Sequence, residues 1–123
     1  MQKMIFVVDD SSAGLMVAAA ALESEYRVLT MASAEKLFSM LNRLRPDMIL
    51  LDIEMPGMGG FETIAELKKD PDRREIPVVF LTGWSDGETA ARAMEAGALG
   101  IIGKPFEPAA LRDSVKNYLE NQP

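Results

Sequence analysis

Met48-Ile49-Leu50-Leu51-Asp52 is an unbroken apolar run that ends on a carboxylate, and Met55-Pro56-Gly57-Met58-Gly59-Gly60 follows it closely. A short apolar run bounded by turn residues reads as a strand buried on both faces. The proline and glycines then make a loop before helical spacing resumes at Phe61, Ile64 and Leu67. Two further runs have the same form. Met4-Ile5-Phe6-Val7-Val8 ends on Asp9-Asp10, and Val78-Val79-Phe80-Leu81 ends on Thr82. Leu99 to Gly103 is a fifth strand despite two glycines, and it ends on Lys104-Pro105. Tyr26 to Thr30 is more mixed, with Arg27 inside it, and suits an edge strand.

Helical patterns separate these runs. Leu15, Met16, Ala19 and Leu22 recur at helical spacing behind Ser11 and Ser12, which offer caps. Ser33 caps a second helix carrying Leu37, Met40, Leu41 and Leu44. A fourth helix runs from about Glu88 to Ala96, with Gly97 as its stop. The last starts near Pro108 and carries Leu111, Val115, Tyr118 and Leu119. Strands joined by helices must run parallel, with right-handed crossovers. The expected fold is an open α/β, doubly wound, five-stranded parallel sheet with helices on both faces. One domain should cover residues 1–123.

Composition narrows the function. A net charge of −6 argues against direct nucleic-acid binding by this domain, which needs a basic face. The chain has no cysteine and no histidine, which excludes thiolate metal sites and histidine catalysis. No apolar run approaches the roughly 20 residues of a membrane span. The N-terminus enters a strand at once without a signal-peptide pattern, so the cytoplasm is the expected location and no membrane partner is expected.

The polar residues fall at strand ends: Asp9 and Asp10 after the first strand, Asp52 after the third, Thr82 after the fourth, Lys104 after the fifth. In a parallel sheet these ends share one rim, where open α/β sheets bind their ligands. Carboxylates about 5 Å apart repel by roughly 3 kcal/mol at an effective dielectric of 20, and a hard divalent cation relieves this. Few carboxylates with room for waters and a phosphate suit Mg2+ better than Ca2+. Lys104 offers a point charge for a phosphoryl oxygen, and Thr82 a hydroxyl donor. Each residue alone has a blander reading, as a cap, a solvated acid, a surface lysine or a β-former. Their joint placement carries the inference.

Val7-Val8-Asp9-Asp10, Leu50 through Gly60, Leu81-Thr82-Gly83 and Gly103-Lys104-Pro105-Phe106 together resemble the receiver domains of two-component response regulators, in order and over nearly the whole chain. In size the chain is similar to the single-domain chemotaxis-type regulators. The resemblance implies a flavodoxin-like fold with strand order 2-1-3-4-5, and a signalling switch rather than an enzyme, with at most intrinsic autophosphorylation and autodephosphorylation. Asp52 would be the phosphoacceptor, serving a sensor histidine kinase or phosphotransfer protein. Mg2+ would be bound by Asp10, Asp52 and the backbone carbonyl of Glu54, with Asp9 acting largely through a water. Lys104 would contact the phosphoryl group, Thr82 would swing toward it, and the peptide bond before Pro105 would be cis. A downstream protein or effector domain would read the switch, and a phosphorylation-dependent dimer fits the same pattern.

One stretch departs from the family at three positions. The aromatic usual three residues before the lysine is Ile101 here, and the polar pair before it is Leu99 and Gly100. Ile101 offers no ring to bury at the position of the usual aromatic readout. Leu99 and Ile101 make this region apolar, as a docking surface or as core. Trp84, two residues after Thr82, would screen the phosphoryl group from water or serve as a partner-binding aromatic. Three alternatives compete: a receiver-like interaction domain that works without phosphate, a flavin-binding domain, and a hydrolytic phosphotransferase with an aspartyl nucleophile. The acids at Asp9 and Asp10 oppose a flavin phosphate. Glu54 is the only local second acid/base for an enzyme.

Overall fold

The computed structural model describes residues 2–83 and 87–121. Five strands alternate with five helices: β1 (Met4–Val8), α1 (Ser12–Leu22), β2 (Arg27–Met31), α2 (Ala34–Leu41), β3 (Met48–Asp52), α3 (Gly60–Lys69), β4 (Val78–Thr82), α4 (Gly87–Glu95), β5 (Gly100–Gly103) and α5 (Pro108–Glu120). All strand pairs are parallel, in the order β2-β1-β3-β4-β5. The chain reverses its direction of travel across the sheet between β1 and β3. Their carboxyl ends therefore face a crevice that no crossover covers.

Alternation along the strands divides the core in two. Phe6, Val8, Ile49, Leu51, Val78 and Phe80 face α2, α3 and α4, where Leu37, Ile64, Leu67 and Ala93 meet them. Ile5, Val7, Met48, Leu50, Val79 and Leu81 face α1 and α5, against Ala18, Leu22, Leu111 and Val115. The central strands β3 and β4 are buried along their whole length, as continuous apolar runs require.

Several boundaries move from their expected places. β2 occupies Arg27–Met31 rather than starting at Tyr26, because Tyr26 donates its amide to Leu22 at the end of α1. α2 stops at Leu41; the Leu44 amide still reaches the Met40 carbonyl, but Leu44 lies beyond the helix. Leu99 precedes β5, which begins at Gly100. The largest correction concerns α1. Met16 is 73% exposed, and the helix instead buries Ala18, Ala21 and Leu22. Ser12–Leu22 carries no charge and is apolar nearly all round, so spacing alone cannot choose its inner face.

Candidate functional site: an acidic pocket at the strand ends

The sheet's hydrogen-bond ladders continue past the strands and set the site residues in place. The Asp9 amide donates to Met31, Ile53 to Leu81, and Lys104 to Thr82. Asp9, Asp52 and Thr82 are thus held beside central strands and are almost wholly buried, at 1%, 6% and 1% exposure. Asp10, next along the chain, is exposed.

Asp9 is fixed from two sides. Its Oδ1 accepts the Ser11 amide at 3.0 Å, and its Oδ2 accepts from Lys104 Nζ at 2.7 Å. A Cβ on Gly14 would stand 2.8 Å from that same Oδ2, so glycine in the first turn of α1 leaves the carboxylate its space. Lys104 Nζ also lies 3.4 Å from Asp52 Oδ1, and the Lys104–Pro105 bond is cis. On the other side of Asp52, the Gly60 amide donates to Ile53 at 2.8 Å. A Cβ on Gly60 would come within 2.7 Å of the Asp52 carbonyl, so only glycine lets α3 begin this close to the site.

The electrostatics are unbalanced. Burial first, then the charge of Asp9, push the Asp52 carboxyl up from 3.8 to about 6, with Lys104 opposing. Burial alone would lower the Lys104 pKa, but its hydrogen bond to Asp9 and the charges of Asp52 and Asp9 outweigh this and raise it. One ligand oxygen from each of Asp9, Asp10 and Asp52 lies within 4.8 Å of the others. Three hard oxygen donors this close, with one ammonium to offset them, fit a divalent cation of the magnesium kind.

The structure thus brings together Asp9, Asp10, Asp52 and Lys104, with Thr82 on the adjoining strand end. Trp84 lies outside the described residues. Ile101 is half-buried and packs with the α3–α4 side of the core, while Leu99 is 37% exposed. Two features escaped the sequence reading. Lys104 pairs more closely with Asp9 than with Asp52, and Arg92 of α4 lies 4.1 Å over the ring of Phe61 of α3. Nothing in residue spacing signals the second, because it joins two separate helices.

An acidic pocket with a lysine beside it, at the switch point of a 2-1-3-4-5 sheet, defines a class of doubly wound ligand-binding modules. Residues 5–116 match the response regulator receiver domain, and the chain belongs to that family. It is 37% identical over 118 residues to the response regulator PleD of Caulobacter vibrioides, covering 95% of this chain and 26% of PleD. It therefore spans about a quarter of that relative. It is 30% identical over 120 residues to sporulation initiation phosphotransferase F of Bacillus subtilis, covering 97% of this chain and 95% of that protein. Among solved structures, the BeF3-activated receiver domain of DrrB from Thermotoga maritima superimposes with a TM-score of 0.87 at 32% identity, over 98% of this chain and all of that one. Receiver domains are two-component signalling switches, and this chain has their pocket.

Proposed function

We propose that Asp52 accepts a phosphoryl group from the phosphohistidine of a sensor histidine kinase or phosphotransfer protein, and that the resulting change in surface is read by a downstream protein or effector domain. The observation that supports this most is the buried carboxylate of Asp52, crowded by Asp9 and within reach of Lys104. A structural ion pair would match its charges; this pocket leaves them unmatched.

In the transfer, an ionised Asp52 oxygen attacks phosphorus. The new O–P bond forms as the N–P bond breaks, and its electron pair returns to the imidazole, which takes a proton from solvent. Asp52 is mostly ionised near neutral pH even with its carboxyl raised to about 6. Lys104 turns its ammonium from Asp9 toward the phosphoryl oxygens, and the buried Thr82 hydroxyl donates to another. Asp10, Asp52 and the Glu54 carbonyl would hold Mg2+, with Asp9 acting through a water. Bound there, the ion supplies charge neutralisation for the carboxylates and the phosphoryl oxygens.

The whole of residues 1–123 is taken as one such domain, in the cytoplasm; no helix among the described residues is long and apolar enough to cross a membrane. Trp84 is proposed to slow hydrolysis of the acyl phosphate. The net charge of −6 supports protein partners over direct nucleic-acid contact, and a second phosphorylated copy is proposed among those partners. Calorimetric titration with beryllofluoride, a phosphoryl mimic, tests the reading. Binding should need both Mg2+ and Asp52. Binding without Mg2+, or none at all, contradicts it.

A further inference from the structure

α4 is the most lightly held helix of the fold. Its one fully buried side chain is Ala93, whereas α3 buries Gly60, Thr63, Ile64 and Leu67. Elements that move in a switch come from the weakly held end of a structure. The Arg92 guanidinium of α4 nevertheless sits 4.1 Å over the Phe61 ring. That ring is anchored. It packs on Phe80 with centroids 5.0 Å apart and planes at 53°, and it follows Gly60, which is seated on the Asp52 carbonyl without room for a Cβ. Beside Phe80 in the sheet stands Ile101, so the aromatic surface at this point comes from Phe80 and Phe61. The stack therefore joins a loosely held helix to a ring fixed against the backbone of Asp52.

We propose that the Arg92–Phe61 stack is a latch that holds α4 in the unphosphorylated protein and is released when Asp52 is modified. The proposal rests on the reading of Asp52 as phosphoacceptor. Thr82, buried, follows Leu81, the register partner of Asp52, at the same strand-end rim, and its hydroxyl is the donor taken to move toward the phosphoryl oxygens. Thr82 ends β4, and α4 begins at Gly87. A pull on Thr82 is thus a pull on the start of α4, while Phe61 stays with α3. The stack is the contact that must give. It favours the resting position of α4, so its loss makes the modified state easier to reach.

The absence of cysteine allows a single reporter. Met94 on α4 is 58% exposed, and Met94→Cys carries an environment-sensitive fluorophore. Beryllofluoride is titrated with Mg2+ present. In the labelled parent the emission should change on binding. In Arg92→Ala the resting emission should already lie part-way to the bound value. The titration midpoint should fall about two- to fivefold, the span of an exposed cation–π contact. Phe61→Leu should do the same, and combining the two should add nothing further. A parent that responds while Arg92→Ala keeps its resting emission and midpoint overturns the latch alone. A parent that binds beryllofluoride by calorimetry without any change in emission also overturns the latch alone, whereas a parent that does not bind it overturns the latch together with the phosphoacceptor reading.

Discussion

The two rims of the sheet carry charge in opposite ways. At the amino ends of the strands, the charged groups lie at or near the surface and are hydrogen-bonded. Asp47 accepts the Met4 amide at 2.7 Å, Arg45 donates to the Asp72 carbonyl, and Arg73 binds Asn42 at 2.7 Å and Asp70 at 3.4 Å. At the carboxyl ends, Asp9 and Asp52 are buried, Asp10 lies beside them, and Lys104 pairs with the two buried ones. Each rim has a cleft of about 390 Å³, one lined by Arg43, Arg45, Arg73 and Asp70, the other by Ser11, Val17, Lys104 and Phe106. Cleft size therefore does not distinguish the rims. Burial and imbalance of charge do. Matched surface charges tie loops together, whereas crowded buried acids cost stability and persist for chemistry.

The sharpest way to break this contrast is to remove the cation from each rim in turn. Lys104→Ala should slow phosphorylation by acetyl phosphate on the order of 100-fold, as loss of a preorganised charge does in other sites. Arg73→Ala should leave that rate unchanged. Equal effects on rate would erase the distinction between the rims.

A pH series sharpens it. The folded Asp52 carboxyl binds its proton more tightly than the unfolded one, with about 6 against 3.8. Stability contributed by this group is thus greatest below the unfolded value and is lost as pH rises through the folded one. Without Mg2+, Asp52→Asn should melt close to the parent near pH 4 and increasingly above it toward pH 7. Adding Mg2+ to the parent should close that gap. A gap that is constant with pH would show that Asp52 carries no such penalty.

Asp10→Ala should raise the melting temperature without Mg2+ by about 2 °C, because it relieves crowding at an exposed acid. It should also weaken the stabilisation that Mg2+ gives. A variant that melts lower and responds fully to Mg2+ would remove Asp10 from the pocket. The smallest effect belongs to the opposite rim. Arg73→Ala should cost about 1 kcal/mol in a urea titration, the value of a surface ion pair with a hydrogen bond beside it.

The parallel sheet and the pocket were legible because they rest on features that a linear sequence carries, whereas the strand order followed only from the likeness of the motifs to receiver domains. Asp52, Thr82 and Lys104 each follow a short apolar run, and a parallel sheet sends such ends to one rim. The inner face of α1 was not legible. With Ala, Leu, Met and Val on every side, Met16 and Leu22 look alike in the sequence, and only packing separates them. The inequality of Asp9 and Asp10 was equally hidden. It arises because the Asp9 amide continues the ladder to Met31 and carries its carboxylate beneath Lys104. The Arg92–Phe61 stack depends on how α4 settles against α3, which no local pattern encodes.

The central claim is that the crowded pocket exists to phosphorylate Asp52. Intact mass after incubation with Mg2+ and acetyl phosphate tests it most directly. The parent chain should gain the mass of one phosphoryl group, lose it on treatment with hydroxylamine, and gain none when Mg2+ is chelated. Asp52→Asn should gain none under any of these conditions. The same gain in Asp52→Asn as in the parent would contradict the account.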